Sequence, residues 1–404
     1  MNRDRRESRP WREARELILE RVPECGTERV TLEEARGRVL AEACAAPFDL
    51  PGEDTCAIDG FTFALEGVER FPATLEIVGE SRAGVPYPKR IGPGEAVATM
   101  TGAVVPEGAD TAVRIEDVTV EGSRVTIPRA PKRGDLVNPA GSELKRGEAV
   151  LEAGRVLDDR SVALLAHLAH YTPRVRTRPR IGILVTGDEV REPWESPELP
   201  GVRNSNHYIL REMLAPYAEI RYYGIVRDDP ERLLPRFREA LADNDLLLSS
   251  GGASKGRYDF TREIAAELGL EIHFTQTNIR PGRPLIFGTR GEKLFFGLPG
   301  YPAALLANAR LFLLPAVRKL AGMREALDPL VPAIVAETLR AKEGRVDLVR
   351  VNLEYWEGRI FVQNAGSQQT SNFRTMAQCD ALAILDESRG SAEEGEIVPL
   401  LLLR

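Results

Sequence analysis

Four short apolar runs, each ending in glycine, serine or carboxylate residues before a helical pattern, constrain the fold of this chain most strongly. In the clearest case an apolar run at residues 246–248 meets a Ser-Ser-Gly-Gly turn at 249–252, and a helical pattern begins at Phe260. The other three runs occupy residues 180–185, 220–226 and 293–297. Continuous apolar runs are typical of strands buried in parallel sheets. The pattern therefore predicts a doubly wound α/β domain.

Polar residues follow every run, where the carboxyl end of a parallel strand would lie. They are Asp188, Asp228, then Ser250, Gly251, Gly252, Ser254, Lys255 and Asp259, and finally Pro299 and Gly300. Ligands of open α/β sheets bind at that edge, and glycines let a ligand approach the backbone closely. We expect the four turns to form one metal-assisted site for an anionic ligand, although a solvated polar face would explain each turn alone.

A separate loop at residues 276–284 carries two arginines. Its two prolines stiffen the backbone, so Arg280 and Arg283 are expected to point at one place. The planar guanidinium group suits phosphate or carboxylate. The loop predicts an anion-binding pair, and a solvated basic loop is the equally matched alternative.

Composition argues against several classes of function. The formal net charge is −7 over 404 residues, which disfavours a nucleic-acid-binding or membrane-surface protein. The four cysteines are scattered and form no CxxC pair, so neither a zinc site nor a disulfide framework is expected. The most apolar helical pattern, at residues 301–320, contains charged residues, which disfavours a membrane span. These observations favour a cytoplasmic protein without a nucleic-acid or membrane partner.

Changes of pattern along the chain predict four domains. Residues 1–45 and 140–178 form a helical linking domain, and residues 46–139 form a β-rich insert with short alternating runs. The α/β domain spans residues 179–326. Alternating runs from residue 327 to residue 404 predict a small C-terminal β-barrel.

Other polar segments have weaker local signals. Asp59 and Thr101 lie in irregular stretches of the insert, where turn chemistry alone would explain them. Arg345, Arg350 and Ser371 lie in the C-terminal domain, and each is expected at the surface when taken alone.

Taken together, these segments resemble the molybdopterin molybdenumtransferase family, also called MoeA or the gephyrin E domain. The matching pieces occur in family order at residues 58–61 (Ile-Asp-Gly-Phe), 100–102, 106–110, 185–189 (Val-Thr-Gly-Asp-Glu), 204–206, 227–230, 249–259, 280–284 (Arg-Pro-Gly-Arg-Pro), 297–302 and 344–347. Any one piece is weak, but the ordered set covers nearly the whole chain and is specific.

The resemblance implies a homodimer of four-domain subunits, with an α/β domain similar to the MogA-type molybdopterin adenylyltransferases. It also implies a reaction, in which molybdenum from molybdate is inserted into adenylylated molybdopterin with loss of AMP. Mg²⁺ or a similar divalent ion is the expected cofactor. A molybdopterin adenylyltransferase is a candidate protein partner.

The resemblance also assigns roles to residues. Asp188, Asp228 and Asp259 are expected to hold the divalent ion, because hard cations prefer carboxylates and water. With Asp59 and Thr101 from the insert, they form the expected catalytic set. The expected substrate-binding residues are Ser250, Gly251, Gly252, Ser254, Lys255, Arg280, Arg283, Pro299 and Gly300, with Arg345, Arg350 and Ser371 for molybdate.

Several positions depart from the family pattern. They include Ile58 and Phe61 in the insert, arginine instead of lysine at positions 280 and 283, and Tyr301 in place of asparagine. These departures leave open whether the metal is molybdenum or tungsten and whether the chain is a paralogue with altered activity. Two other functions also stay open: a MogA-type adenylyltransferase, which the two β-rich domains argue against, and a non-enzymatic molybdopterin-binding scaffold.

Overall fold

The computed structural model describes residues 8–196, 198, 200–251 and 264–403. The chain forms two compact units. The larger unit comprises Met1–Glu42, Ala153–Val162 and Thr172–Arg404, and the smaller unit comprises Ala43–Glu152 and Ala163–Tyr171. None of the helices within the described residues is long and apolar enough to cross a membrane.

A six-stranded sheet, here called the central sheet, organises the larger unit. In spatial order its strands are Glu219–Val226, Arg180–Thr186, Leu246–Ser250, Lys293–Leu298, Pro284–Arg290 and Glu271–Gln276. The first four are parallel neighbours, which confirms that the four apolar runs end at one edge of one sheet. We call this edge the carboxyl edge and the opposite one the amino edge.

Two antiparallel strands, which the sequence pattern did not predict, complete the central sheet. Pro284–Arg290 pairs antiparallel with Lys293–Leu298, and Glu271–Gln276 pairs antiparallel with Pro284–Arg290. Gln276 lies opposite Pro284, so the connection at residues 277–283 lies at the carboxyl edge. The arginine loop is therefore brought to the edge where the parallel strands end.

Helices cover both faces of the central sheet. Pro230–Asp243 packs on one face through Leu233 and Phe237. The other face is covered by Trp11–Arg21, Asn206–Leu214, and the consecutive segments Pro302–Asn308, Ala309–Leu313 and Leu314–Leu320, the middle one being π-helical. The parallel strands are buried on both faces, which explains their continuous apolar runs. This arrangement confirms the doubly wound α/β domain.

A closed five-stranded barrel occupies the C-terminal part of the chain. Its strands are Val331–Val335, Val346–Trp356, Arg359–Asn364, Ala381–Leu385 and Ile397–Leu402. The long strand Val346–Trp356 closes the ring because it pairs with two neighbours, Arg359–Asn364 on one side and Ala381–Leu385 on the other. The predicted C-terminal barrel is confirmed. A two-residue strand, Ile279–Arg280, pairs parallel with its first residues.

Short elements complete the larger unit. They are the helices Leu32–Ala35 and Phe373–Gln378, the paired strands Thr27–Arg29 and Arg174–Arg176, and the paired strands Val190–Arg191 and Val202–Arg203. The helix Asp159–His167 belongs partly to each unit.

The smaller unit is β-rich, as the sequence predicted for the insert. Its main sheet has the order Thr111–Arg114, Gly60–Phe63, Glu95–Thr99, Ala73–Ser81, Arg124–Ile127, Thr119–Glu121. Phe61, Phe63, Leu75 and Val125 are among its buried core residues. The remaining elements are the strands Cys44–Ala45, Thr55–Cys56, Val137–Asn138 and Ala149–Leu151 and the 3₁₀ turns Leu65–Gly67 and Ile115–Asp117.

Candidate functional site

Two of the predicted carboxylates lie beside each other at the carboxyl edge. Asp188 follows the strand that ends at Thr186, and Asp228 follows the strand that ends at Val226; these two strand ends are paired in register. The backbone N–H of Asp228 donates a hydrogen bond to Oδ1 of Asp188 at 3.3 Å. Asp188 is exposed and Asp228 is half-buried. The sheet thus places two carboxylates at one point of its rim.

The glycine turn after the neighbouring strand is closely packed. Gly251 donates its N–H to the carbonyl of Leu298 at 3.2 Å. Its φ of 101° is a conformation that favours glycine. A Cβ there would lie 2.1 Å from the carbonyl oxygen of Thr186, so only glycine fits. The turn joins three strand ends, and the rest of the predicted glycine loop, with Gly252, Ser254, Lys255 and Asp259, lies outside the described residues.

The arginine loop reaches the same edge. Arg280 is exposed, and Arg283 is half-buried with its Nε donating to Oγ of Ser8 at 3.3 Å. The backbone of the loop is fixed, since Thr277 donates its N–H to the carbonyl of Arg283 at 2.8 Å. The structure therefore places positive charge at the rim that carries Asp188 and Asp228.

Two buried asparagines hold the backbone at this edge. Nδ2 of Asn206 donates to Oγ of Ser250 at 2.8 Å and to the carbonyl of Gly300 at 2.9 Å. Nδ2 of Asn308 donates to the carbonyls of Gly282 at 3.0 Å and Pro284 at 3.2 Å. Sequence reasoning found Asn206 only as part of a family segment and missed the other. For Asn308, the available signal in the sequence was a single asparagine within an apolar helix.

A buried polar network supports the segment that carries Asn206. The hydroxyl of Tyr222 donates to Oε1 of Glu192 at 2.6 Å, and Nδ2 of Asn204 donates to that hydroxyl at 2.8 Å. Burial, together with Glu192, raises the pKa of Tyr222 well above its ordinary value. His207 stacks on Tyr222 with ring centroids 3.9 Å apart, and burial lowers its pKa. The phenol and the imidazole are consequently neutral at pH 7.

The C-terminal barrel brings further polar residues to the arginine loop. Arg280 is paired in register with Asp347, and Nε of Arg345 lies 3.0 Å from Oδ2 of that aspartate. Arg345 therefore lies near Arg280, although its charge is partly offset by Asp347.

The surface location expected for Arg350 from its local sequence is wrong. Arg350 is only 2% exposed, and burial lowers the pKa of its guanidinium. Its Nη2 donates to the carbonyls of Ser367 at 2.8 Å and Gln369 at 3.0 Å. Burial follows from the barrel, since Arg350 lies in the strand that closes it and is paired with Leu382. Ser371 is exposed in the loop that follows these carbonyls.

The two predicted residues of the insert contact each other within the smaller unit. Oδ1 of Asp59 accepts hydrogen bonds from the backbone N–H of Thr101 at 2.7 Å and from its hydroxyl at 3.0 Å. These two bonds lower the pKa of Asp59. Asp59 is thus an oriented, ionised carboxylate on the surface of its own unit.

The donor set at the carboxyl edge fits a magnesium ion. Within the described residues, no group of three or more histidine, cysteine or carboxylate side chains could hold a metal ion; Asp259 lies outside them. Magnesium needs fewer protein ligands, since it keeps several waters and takes oxygens from substrate phosphates. Asp188 and Asp228 would be the carboxylates of such a site. The fold and the rim together define a doubly wound α/β protein whose central sheet carries carboxylates and arginines at its carboxyl edge.

Comparison with known proteins identifies the family. Three family models match the chain. The model of the MoeA N-terminal region (domain I and II) matches residues 9–169, that of a probable molybdopterin binding domain matches residues 182–319, and that of the MoeA C-terminal region (domain IV) matches residues 332–403. The molybdopterin molybdenumtransferase of Nostoc sp. is 34% identical, with 97% of this chain and 93% of that protein aligned. The protein of the same name from Haemophilus influenzae is 31% identical, with 96% of this chain and 97% of that protein aligned.

A solved structure agrees with this relationship over the full length. The molybdopterin biosynthesis moeA protein from Pyrococcus horikoshii OT3 superposes with a TM-score of 0.83 at 28% identity, covering 98% of this chain and 100% of that one. The chain belongs to the MoeA family, which confirms the resemblance found in its sequence.

Proposed function

We propose that the protein is a molybdopterin molybdenumtransferase that inserts molybdenum during biosynthesis of the molybdenum cofactor. The observation that carries this proposal is the near-complete match to two relatives of that name, 34% and 31% identical. The match includes the insert and the C-terminal barrel as well as the α/β domain. Those two parts disfavour a MogA-type adenylyltransferase, because such a protein needs only the α/β domain.

In this proposal the substrates are adenylylated molybdopterin and molybdate, or tungstate, and the products are the metal-containing cofactor and AMP. Cleavage of the phosphoanhydride requires a site that binds several negative charges. The carboxyl edge supplies Arg280 and Arg283 for the phosphates, and the turn at Ser250 and Gly251, where only glycine fits at position 251, lies at the same edge. Pro299 and Gly300 form the adjacent wall, and Lys255 is assigned to the same phosphates from its sequence.

Asp188 and Asp228 would hold the Mg²⁺, with Asp259 as a third carboxylate assigned from sequence. Magnesium would supply polarisation of a phosphoryl oxygen. The chain's own contribution is the orientation of the Asp188 carboxylate, whose Oδ1 accepts a hydrogen bond from the backbone N–H of Asp228 at 3.3 Å. Because the ligands lie at paired strand ends, their separation is set by the sheet.

Molybdate binds at the junction of the arginine loop and the barrel. Arg280 is paired with Asp347 at the start of the barrel strand, so Arg345 lies just before that strand and Arg350 lies on it. Ser371 adds a hydroxyl donor from the loop that Arg350 anchors. A tetrahedral dianion is well matched by guanidinium and hydroxyl donors.

The active assembly is a homodimer of four-domain subunits, divided at residues 45/46, 139/140, 178/179 and 326/327. Asp59 and Thr101 contribute to catalysis from the insert. The support for their role is the orientation of the Asp59 carboxylate by two hydrogen bonds from Thr101. A molybdopterin adenylyltransferase, which would supply the adenylylated substrate, is the expected protein partner.

The test is AMP release from adenylylated molybdopterin by purified protein with Mg²⁺. Release that depends on molybdate or tungstate supports the proposal, and comparing the two oxyanions gives the metal preference. Formation of adenylylated molybdopterin from ATP would instead establish an adenylyltransferase. Tight binding of molybdopterin without any AMP release would establish a scaffold.

A further inference from the structure

The two buried asparagines at the carboxyl edge make the same kind of contact in two different loops. Each uses one Nδ2 group to reach two acceptors that are far away in the sequence. Asn206 reaches residues 44 and 94 positions away, and Asn308 reaches residues 26 and 24 positions away. Asn206 is 8% exposed and Asn308 is fully buried.

Asn308 is attached to the arginine loop. Its acceptors, the carbonyls of Gly282 and Pro284, flank Arg283 and follow Arg280 closely. The contact is tight, since a Cβ on Gly282 would lie 2.9 Å from Nδ2 of Asn308. The helix and π-helical turn on either side of Asn308 are buried against the central sheet. The loop is thereby tied to helical segments that are buried against the central sheet.

Asn206 is attached to the other half of the rim. It links Ser250, at the end of one parallel strand, to Gly300, just after the end of the next. The network of Glu192, Tyr222 and Asn204 fixes the backbone that carries it. The two strand-end turns are consequently held at one spacing.

We propose that Asn206 and Asn308 are positioning residues that preorganise the substrate loops, and that they set the affinity for the adenylylated substrate. This inference rests on the proposed function. A buried carboxamide that donates to backbone carbonyls fixes a loop without using the loop's own charged groups. The arginines and the strand-end turns then stay available to the ligand in the correct geometry, which binding would otherwise have to create.

The buried Asn244 provides a matched control. Asn244 is 2% exposed. Its Nδ2 donates to the carbonyl of Ala240 at 2.7 Å and to the hydroxyl of Tyr223 at 2.8 Å. Asn244 precedes the strand Leu246–Ser250, so it lies at the amino edge. Its loss removes equivalent hydrogen bonds without touching the substrate loops.

The experiment compares Asn308→Ala, Asn206→Ala and Asn244→Ala by melting temperature, by KM and kcat for molybdate-dependent AMP release, and by hydrogen–deuterium exchange. We expect all three variants to melt at lower temperature. We expect KM for adenylylated molybdopterin to rise about 10-fold to 100-fold in the first two variants only. Exchange should rise at residues 277–285 in Asn308→Ala and around residues 249–251 and 300 in Asn206→Ala.

Several outcomes would overturn the inference. One is a wild-type KM in Asn206→Ala and Asn308→Ala despite lower melting temperatures; another is an equal rise of KM in the amino-edge control. If Asn308→Ala does not fold, two milder variants replace it: Asn308→Ser, which keeps one hydrogen-bond donor, and Gly282→Ala, which displaces the carboxamide of Asn308. Hydrogen–deuterium exchange at residues 277–285 that equals the wild type in both variants would contradict the proposal. Failure of the wild type to release AMP would instead sink the proposed function, while the exchange comparison would still decide whether these residues hold the loops.

Discussion

The two edges of the central sheet use polar residues in opposite ways. At the amino edge, charged groups bind other groups of the same chain: Asp245 accepts the backbone N–H of Arg180 at 2.8 Å and its Nη2 at 3.1 Å. At the carboxyl edge, the carboxamides of Asn206 and Asn308 bind the Ser250 hydroxyl and backbone carbonyls, while Asp188 and Arg280 are exposed. At the amino edge the carboxylate of Asp245 is thus paired within the chain, whereas at the carboxyl edge Asp188 and Arg280 present charge to solvent.

Lys293 shows how completely the amino edge is satisfied. Its Nζ donates to the carbonyls of Leu241 at 2.7 Å, Ala242 at 2.6 Å and Asn244 at 3.0 Å. These carbonyls lie at the end of the helix Pro230–Asp243 and just beyond it, where backbone acceptors lack partners within the helix. The two edges differ in that the Lys293 ammonium is bound by carbonyls of its own chain, whereas Asp188 and Arg280 at the carboxyl edge are exposed to solvent.

The largest expected effect is on stability, from Lys293→Met. The variant leaves three carbonyls without their charged donor, so the free energy of unfolding should fall by about 3 kcal/mol, the upper range for a hydrogen-bonded charged group. KM for the substrate should not change. Urea unfolding and steady-state kinetics measure the two quantities.

Lys342→Met is the control for this variant, because that lysine is exposed. An unfolding free energy close to that of wild type in Lys293→Met would mean that the amino edge does not depend on these bonds.

The next effect is on catalysis, from Asp228→Asn. We expect the molybdate-dependent rate to fall about 100-fold, equivalent to about 2.7 kcal/mol, because a carboxylate ligand of Mg²⁺ is lost. Excess Mg²⁺ should restore part of the rate, and the melting temperature should stay nearly constant. Titration of activity with Mg²⁺ gives the metal affinity directly.

Asp229→Asn is the matched control, since Asp229 caps the next helix by accepting from the N–H of Glu231 at 3.1 Å. Asparagine caps a helix about as well as aspartate. Equal losses of rate in the two variants would remove the distinction between a metal ligand and a cap.

A smaller effect is expected from Arg280→Ala and Arg283→Ala. Each variant should weaken substrate binding by roughly 1–3 kcal/mol, the scale of a hydrogen bond to a charged group. Arg283→Lys should recover part of that loss, because the charge remains but the planar fork does not. Fluorescence or calorimetric titration with AMP and with the full substrate measures the change.

Arg290→Ala is the control for the loop. Arg290 ends the strand Pro284–Arg290 that follows the loop, where it is exposed and paired with Lys293 at the amino edge. Unchanged affinity in both loop variants would show that the loop is only a solvated basic turn.

The smallest effect concerns pH at the amino edge. Burial, with a contribution from Asp245, raises the pKa of Cys25 from 9.0 to about 11. The folded state therefore keeps this proton through a range in which the unfolded chain loses it, so stability falls as pH rises from about 9 to about 11. Wild type should lose more stability than Cys25→Ser between pH 8 and pH 10.5 in denaturant titrations, and Cys25 should react slowly with iodoacetamide at about pH 8.5. If the free energy of unfolding falls equally with pH in wild type and in Cys25→Ser, burial does not hold the Cys25 thiol in its protonated form.

The sequence by itself determined the parallel strands, their common edge and the family. Apolar runs such as Leu246–Leu248 are visible in one dimension, because a strand covered on both faces needs apolar residues at every position. Because those strands are parallel, the sequence alone places Asp188 and Asp228 at one edge of the sheet. The order of short motifs identified the family, because the set occurs in family order over nearly the whole chain.

Only the tertiary structure decided how that edge is completed. Two antiparallel strands bring the arginine loop to it, and their pairing depends on partners that the local pattern does not mark. Asn206 and Asn308 take their roles from residues 24 to 94 positions away. Arg350 is buried because its strand closes a barrel by pairing on both sides. Local sequence fixes which residues form a strand or turn, but burial and hydrogen-bond partners depend on which distant segments pack beside them.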